Sequence, residues 1–171
     1  MIKEGYAAAT SRRVAAEAGL KPQLIYYYFG TMDDLLVEVL GTIIEKLLSD
    51  YTRCLTSRTP LRALWDLSRN FESTILTAEF MALANHRKAI GEELARFGNQ
   101  LRAVQEEFFS LLLERHNIDE EVIPPETLSL IMLSLAQSLG VESNWGLTRG
   151  HAKTLAFIEK IIEKYELPAD K

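Results

Sequence analysis

The chain has 171 residues, 47% of them hydrophobic, which is enough for one compact unit or a small domain on a larger one. Its net charge of −5 argues against a protein that binds nucleic acid through overall charge. The single cysteine, Cys54, excludes a disulfide within the chain. The sequence has no apolar run of membrane-spanning length and no signal peptide pattern, so we expect a cytoplasmic protein that does not contact membranes.

Helix-capping and turn residues near the N-terminus predict two short helices joined by a turn. Thr10 is a typical N-cap residue, and the apolar residues after it end at Gly19, which can adopt the left-handed conformation that closes a helix. Pro22 suits the first position of a following helix. The pattern therefore predicts a helix-turn-helix.

Four consecutive aromatic residues, Tyr26 to Phe29, follow in the second helix. A helix advances about 100° per residue, so these rings cannot all be buried on one side. The helical wheel places Ile25, Tyr26 and Phe29 on one side. It places Gln23, Leu24, Tyr27 and Tyr28 on the other, which we interpret as an exposed reading face.

Basic residues occupy the starts of both short helices. Arg12 and Arg13 fall in the first turn of one helix, and Lys21 precedes the other. Cations there oppose the helix dipole, which indicates either solvated charges or an anionic partner such as phosphate. Residues 1–32 carry a net charge of +2, which leaves −7 for the rest of the chain. This asymmetry favours a small DNA-binding head on an acidic body.

The segment from Gly5 to Leu35 resembles the DNA-binding segment of the TetR family of bacterial transcription regulators. The resemblance depends on residues that occur in order and without gaps: Gly5, Tyr6, Thr10, Val14, Ala15, Ala18, Gly19, Leu20, Pro22, Ile25, Tyr26, Tyr27, Phe29, Asp34 and Leu35. It implies an all-α protein with a helix-turn-helix DNA-binding domain over residues 1–32 and a helical effector-binding and dimerisation domain over residues 33–171. It also implies a first helix before Gly5, of which only residues 1–4 are present, so we expect the domain to be incomplete at its N-terminus.

The family resemblance further implies a DNA-binding repressor that a small hydrophobic or aromatic effector releases from its operator, without a cofactor. Gln23 and Leu24 would meet base edges, and Lys21 would reach guanine or phosphate. The full set of implied DNA contacts is Thr10, Arg12, Arg13, Lys21, Pro22, Gln23, Leu24, Tyr27 and Tyr28. Lys21, Leu24, Tyr28 and Met32 depart from the usual family residues, so no operator sequence can be transferred.

Beyond Met32 the apolar period is helical throughout. It predicts a long helix from Asp33 to Leu55, a break over residues 57–60, and a helix from Pro60 whose apolar stripe extends to Ile75. A further helix is predicted from near Thr77 to Ala89, with an interruption at Ile90-Gly91, and a strongly periodic helix follows. After a loop over residues 117–125, the last two helices are predicted over residues 125–144 and 150–166.

Polar residues beside bulky apolar ones in the middle helices are typical of a small-molecule pocket, and the family resemblance places an inducer there. The predicted effector-binding residues are Trp65, Phe71, Met81, Asn85, His86, Gln105, Phe108, Phe109 and Gln137. The last two helices resemble the family's dimer surface. The residues predicted for a homodimer interface are Leu128, Ile131, Leu135, Leu139, Leu155, Ile158, Ile162 and Tyr165.

Two other functions can be compared with the regulator. An enzyme is disfavoured because His86, His116 and His151 lie on separate predicted elements, without a metal-binding or nucleophile motif. The stronger alternative is a ligand-binding or scaffolding dimer of the same fold that no longer reads DNA. A basic amphipathic helix upstream of Gly5 would favour the regulator over that alternative.

Overall fold

The computed structural model describes residues 1–166, apart from the side chain of Phe71. These residues contain helices and no strand, which confirms the all-α prediction. A short 3₁₀ turn covers Tyr6–Ala8. The α-helices within residues 1–166 are α1 (Ser11–Glu17), α2 (Pro22–Phe29), α3 (Met32–Leu55), α4 (Pro60–Ser68), α5 (Phe71–Ala84), α6 (Lys88–Arg115), α7 (Pro125–Asn144) and α8 (His151–Tyr165).

The break between α4 and α5 lies at Arg69-Asn70, so the prediction of a break near Thr77 is wrong. The Asn70 side-chain oxygen accepts a hydrogen bond from the Ser73 N–H at 3.0 Å. This contact satisfies one of the free N–H groups at the start of α5. Asn70 therefore acts as a helix cap.

The predicted interruption at Ile90-Gly91 is also wrong, because α6 runs through both residues. Ile90 is fully buried, and a Cβ on Gly91 would lie 3.6 Å from the Ala84 carbonyl oxygen. One glycine inside a helix costs about 1 kcal/mol, which the burial of a neighbouring isoleucine can offset. The actual break precedes α6, at residues 85–87.

The chain divides into two compact units. Unit 1 comprises Met1–Lys46 and Ile75–Gly98, and unit 2 comprises Leu47–Thr74 and the described residues from Asn99 onward. Helices α3, α5 and α6 each contribute residues to both units. The predicted boundary after residue 32 separates a DNA-binding domain from an effector-binding and dimerisation domain. It divides the chain by function rather than by packing, and it stays a prediction.

The core of unit 2 is built from α4, α6, α7 and α8. Helix α4 packs against α7 and α8, and it buries Leu61, Leu64 and Trp65. Helix α7 contributes one buried stripe at helical spacing. The residues of that stripe are Pro125, Ser129, Met132, Ala136 and Leu139.

The first turn of α4 is capped from the far end of the chain. Thr59, which precedes α4, makes no side-chain capping bond. The Glu166 carboxylate instead accepts hydrogen bonds from the Leu61 N–H at 3.0 Å and the Arg62 N–H at 2.8 Å. The Arg62 guanidinium also donates to Glu159 at 2.7 Å. These contacts hold the end of α8 at the start of α4.

Helix α7 approaches α5 at Gly140. A Cβ on Gly140 would overlap Cγ2 of Thr74 and would lie 3.0 Å from its Cβ. Thr74 is 3% exposed, and its hydroxyl donates to the Asn70 carbonyl oxygen at 2.9 Å. A buried β-branched side chain with a bonded hydroxyl has little freedom to move, so this close approach requires glycine.

We expect Gly140→Ala to destabilise the protein by about 1–3 kcal/mol, because the new methyl group overlaps Thr74. Unfolding in urea measures the change. Gly98→Ala is the matched control, since a Cβ there meets nothing within 4 Å, and it should stabilise α6 by up to about 1 kcal/mol. Adding Thr74→Ser to Gly140→Ala should recover part of the loss, because serine lacks the Cγ2 methyl. Equal stability of Gly140→Ala and wild type would contradict this packing.

His151 connects the start of α8 to the end of α7. Its Nε2 lies 2.9 Å from a Glu142 carboxylate oxygen, and the Ser138 hydroxyl donates to the other oxygen at 2.9 Å. The hydrogen bond to His151, followed by the bond from Ser138, lowers the pKa of Glu142 from its ordinary value of 4.5. Because the folded-state pKa is lowered, the ionised carboxylate favours the folded state above that ordinary value. The contribution is lost as the pH falls through the lowered pKa.

We therefore expect Glu142→Gln to remove part of the fall in unfolding free energy that wild type shows on acidification below pH 4.5. Urea unfolding at a series of pH values, from neutral to below that point, measures the two slopes. Glu163→Gln is the control, because Glu163 is an exposed carboxylate of α8. If both variants follow the wild-type curve, the Glu142–His151 contact does not act in solution.

Candidate nucleic-acid interface

The two short helices begin where the sequence predicts, and the first ends shortly before Gly19, as predicted. The Thr10 hydroxyl oxygen accepts a hydrogen bond from the Arg13 N–H at 3.4 Å and caps α1. Gly19 has a φ of 67°, which permits the tight turn, and Pro22 begins α2. Helices α1 and α2 pack against each other. The helix-turn-helix is thus formed by the predicted residues.

Helix α2 presents a polar and aromatic face to solvent. Ile25 is buried, whereas Tyr27 is 79% exposed and Tyr28 is 71% exposed. The two tyrosine rings contact each other edge to face, with centroids 5.0 Å apart. Gln23 is exposed on this side as well, and Leu24 is half-buried. We refer to Gln23, Leu24, Tyr27 and Tyr28 as the reading face.

Tyr26, which the helical wheel places on the same side as Ile25 and Phe29, is not buried with Ile25. It is 51% exposed, and its hydroxyl donates to the Ser11 hydroxyl oxygen at 3.1 Å. The ring therefore lies at the edge of the two helices rather than beneath them. Its hydrogen bond connects the start of α1 to α2 and so restrains the angle at which α2 is held.

The basic residues of the head have different surroundings. Arg12 and Lys21 are exposed, and within residues 1–166 neither forms an ion pair with a carboxylate. The Arg13 guanidinium binds the Glu4 carboxylate. Neither α1 nor α2 has an acidic residue in its first turn. Arg12 and Lys21 thus leave positive charge on the head that no carboxylate of residues 1–166 pairs with, whereas the charge of Arg13 is paired with Glu4.

Polar contacts within unit 1 hold the head in place. Thr31 and Asp34 form a reciprocal capping box, with the Thr31 N–H donating to Asp34 at 3.0 Å and the Asp34 N–H donating to Thr31 at 3.1 Å. The Tyr6 N–H donates to the Glu79 carboxylate at 2.6 Å, and Arg87 forms an ion pair with Asp33. Sequence reasoning missed the last two contacts because their partners are 73 and 54 positions apart.

The predicted effector residues are distributed over both units. Met81, Asn85 and His86 belong to unit 1 and are exposed. Trp65, Gln105, Phe108 and Phe109 belong to unit 2 and are buried. Gln137, also in unit 2, donates to the Thr74 carbonyl oxygen at 3.3 Å. The side chain of Phe71 lies outside the described residues.

The predicted dimer residues of α7 and α8 also differ in exposure. Ile131 is 55% exposed, whereas Leu139 and Ile162 are buried within the chain. The remaining five are half-buried: Leu128, Leu135, Leu155, Ile158 and Tyr165. Two exposed apolar residues that the sequence analysis did not select, Leu130 and Phe157, lie on these same helices. Helix α7 is apolar on several sides, so the exposure of Leu130 cannot be read from its pattern.

Within residues 1–166, no helix combines the length and hydrophobicity needed to cross a membrane. That part of the chain also contains no group of three or more His, Cys, Asp or Glu side chains placed to hold a metal ion. His116 lies edge to face with Tyr165, with ring centroids 5.2 Å apart.

Comparison with known proteins supports the helix-turn-helix assignment of residues 1–32. Residues 1–39 match the family model of bacterial regulatory proteins of the tetR family. None of the curated proteins matches the chain. Among solved structures, the chain resembles a protein from Rhodococcus sp. described as a TetR-family transcriptional regulator. The TM-score is 0.75 at 18% sequence identity, and the alignment covers 94% of this chain and 92% of the other.

The structural likeness, at this level of identity, concerns the fold. The family model concerns the residues that form α1, α2 and the start of α3. Together they confirm the resemblance identified between Gly5 and Leu35. Residues 1–39 thus resemble the tetR family of bacterial regulatory proteins, and the all-helical fold of the chain is similar to that of the Rhodococcus sp. protein.

Proposed function

We propose that the protein is a homodimeric transcriptional repressor in the bacterial cytoplasm, which a small hydrophobic or aromatic effector releases from its operator. The observation that carries the proposal is the exposed reading face of α2, together with two exposed cations of the head that have no carboxylate partner among residues 1–166, Arg12 and Lys21. Exposed tyrosines and an exposed glutamine are able to contact bases and sugars, while the cations neutralise phosphate.

The reading face is too small to select an operator alone. Two copies related by a two-fold axis would place two faces in successive major grooves, roughly 34–36 Å apart. The apolar surface of α7 and α8 supports such pairing, since Leu130, Ile131 and Phe157 are each about half exposed or more. We propose that a second copy covers these residues, together with the half-buried part of the predicted dimer set.

Effector binding would act through the long helix α3. This helix begins directly after the head, at Met32, and continues to Leu55 in unit 2. The ion pair between Asp33 and Arg87 joins its first turn to the residue before α6. A ligand that favours one position of α3 would therefore change the position of the head. Because both half-sites must be matched together, a small displacement would lower operator affinity.

The proposed DNA contacts predict different effects for Arg12 and Gln23. Arg12→Ala should weaken binding to operator and random DNA alike and reduce the salt slope by about one, because one phosphate contact is lost. Gln23→Ala should weaken operator binding by about 1–3 kcal/mol and leave random DNA unaffected, because a base contact is lost. Fluorescence anisotropy with the full-length gene product and DNA from its own upstream region, titrated across salt concentrations, measures both effects.

Arg149→Ala is the control for lost charge, since Arg149 is exposed in the α7–α8 connection, far from the head in sequence. It should leave the salt slope unchanged. If the wild-type protein shows no selectivity over random DNA, the proposal fails. The ligand-binding or scaffolding dimer would then become the better description.

Ile131→Glu tests the dimer surface. A buried, unpaired carboxylate at a helix-helix interface is strongly unfavourable, so we expect this variant to be monomeric at micromolar concentration while keeping its helical circular dichroism. Val122→Glu is the matched control, because Val122 is 74% exposed in the α6–α7 connection, outside the proposed interface. Static light scattering gives the mass of each. A dimeric Ile131→Glu variant would exclude this surface.

A further inference from the structure

A side-chain hydrogen bond joins the two short helices of the head. The Tyr26 hydroxyl of α2 donates to the Ser11 hydroxyl oxygen, at the start of α1, over 3.1 Å. The two residues are 15 positions apart, on either side of the turn at Gly19. Because the Tyr26 ring is 51% exposed, a phenylalanine would fill the same space. The hydroxyl is therefore the group whose role requires an explanation.

Apolar packing between α1 and α2 does not by itself fix their relative rotation. The two helices pack against each other, and each contributes one fully buried residue, Ala15 from α1 and Ile25 from α2. Hydrophobic burial is non-directional, whereas a hydrogen bond weakens steeply when its distance or angle changes. The bond from Tyr26 to Ser11 thus favours one rotation of α2 about its axis relative to α1.

This bond connects the two kinds of proposed DNA contact. Ser11 directly precedes Arg12, the proposed phosphate contact of α1, and Tyr26 belongs to the helix that carries Gln23 and the rest of the reading face. Phosphate contacts fix the orientation of a protein on the duplex, and base contacts read the sequence. A reading face meets the correct base edges only if α2 has a defined orientation relative to the phosphate contact of α1.

The direction of the hydrogen bond indicates that Tyr26 acts through Ser11 rather than on DNA. Phosphate oxygens only accept hydrogen bonds, and a tyrosine hydroxyl has one hydrogen to donate. In this structure the Tyr26 hydroxyl donates that hydrogen to Ser11. A phosphate could receive it only if the bond between α1 and α2 were broken. Tyr26 is accordingly a positioning residue and not a DNA contact.

We propose that the hydrogen bond between Tyr26 and Ser11 determines operator selectivity, because it fixes the reading face of α2 relative to the phosphate contact of α1. This inference rests on the proposed function and deepens it. Neither residue belongs to the predicted set of DNA contacts, so the inference adds two residues that control which sequence is bound without touching it.

Fluorescence anisotropy tests the inference with the full-length gene product, DNA from its own upstream region and random DNA of the same length. Tyr26→Phe and Ser11→Ala should each lower the ratio of operator affinity to random-DNA affinity by about twofold to tenfold, the effect of one hydrogen bond. Affinity for random DNA and the salt slope should not change, because no phosphate contact is lost. The double variant should lose no more than either single variant, since both remove the same bond. Ser11→Thr keeps a hydroxyl and should retain the wild-type ratio.

A second tyrosine–serine pair provides the matched control. In unit 2, the hydroxyl oxygens of Tyr51 and Ser68 lie 2.9 Å apart. Tyr51→Phe removes this hydrogen bond, so it should lower the free energy of unfolding in urea and leave the ratio of the two affinities unchanged. A loss of stability without a change in the ratio for Tyr26→Phe as well would mean that its bond is only structural, and would overturn the inference.

Three further outcomes would contradict the positioning role. One is additive losses in the double variant. Another is a weaker binding of both DNAs and a lower salt slope for Tyr26→Phe while Ser11→Ala has no effect, which would make Tyr26 a phosphate contact. The third concerns Gln23→Ala, which should weaken operator binding less in the Tyr26→Phe background than in wild type. An equal effect in both backgrounds would show that the bond does not position Gln23.

The wild-type measurement separates this inference from the proposed function. If wild type does not distinguish its upstream DNA from random DNA, the proposed function fails and the inference fails with it. If wild type is selective and Tyr26→Phe and Ser11→Ala keep the same ratio, the proposed function stands and the inference alone fails.

Discussion

The head consists of helices too short to be stable alone. Helices α1 and α2 have seven and eight residues, and isolated helices of that length are not stable in water. Their geometry therefore depends on contacts with the rest of unit 1. Glu79 from α5 and Arg87 from the start of α6 supply polar contacts to residues before α1 and at the start of α3. The compact unit that includes the head consequently extends far beyond residue 32.

The dependence of α1 and α2 on contacts with the rest of unit 1 matters for the proposed binding to DNA. A reading face must be held at a fixed angle if two copies are to match two half-sites together. The angle here is set by small contacts: the Tyr26–Ser11 hydrogen bond between α1 and α2, and the capping box at the start of α3. Contacts of this size stabilise by a few kcal/mol at most, which is comparable to the coupling free energies typical of allosteric proteins.

The sequence predicted the fold well where residues have unambiguous local roles. Gly19, Pro22 and the apolar period of α3 determine element type by themselves, and the structure agrees with them. The breaks around α5 were misplaced because that helix is apolar on nearly every side, so periodicity gives neither its start nor its buried face. Its start depends instead on Asn70, a residue type that is equally common in loops and polar sites.

Individual site residues were harder to predict for the same reason. Gln105, Phe108 and Phe109 lie on α6 and are buried, and their contact with an effector stays a prediction. Met81, Asn85 and His86 lie at the end of α5 and beyond it, where the helix register could not be read, and they are exposed.

The Glu166 contact has a consequence for handling the protein. The carboxylate that caps α4 lies one residue after the end of α8, so the start of α4 is completed by a residue near the C-terminus. A chain shortened to residue 165 would keep the sequence of helices α1 to α8, yet it would leave two N–H groups of α4 without the Glu166 acceptor. Truncations and affinity tags should therefore be placed beyond Glu166, with enough intervening residues for its side chain to reach Leu61 and Arg62.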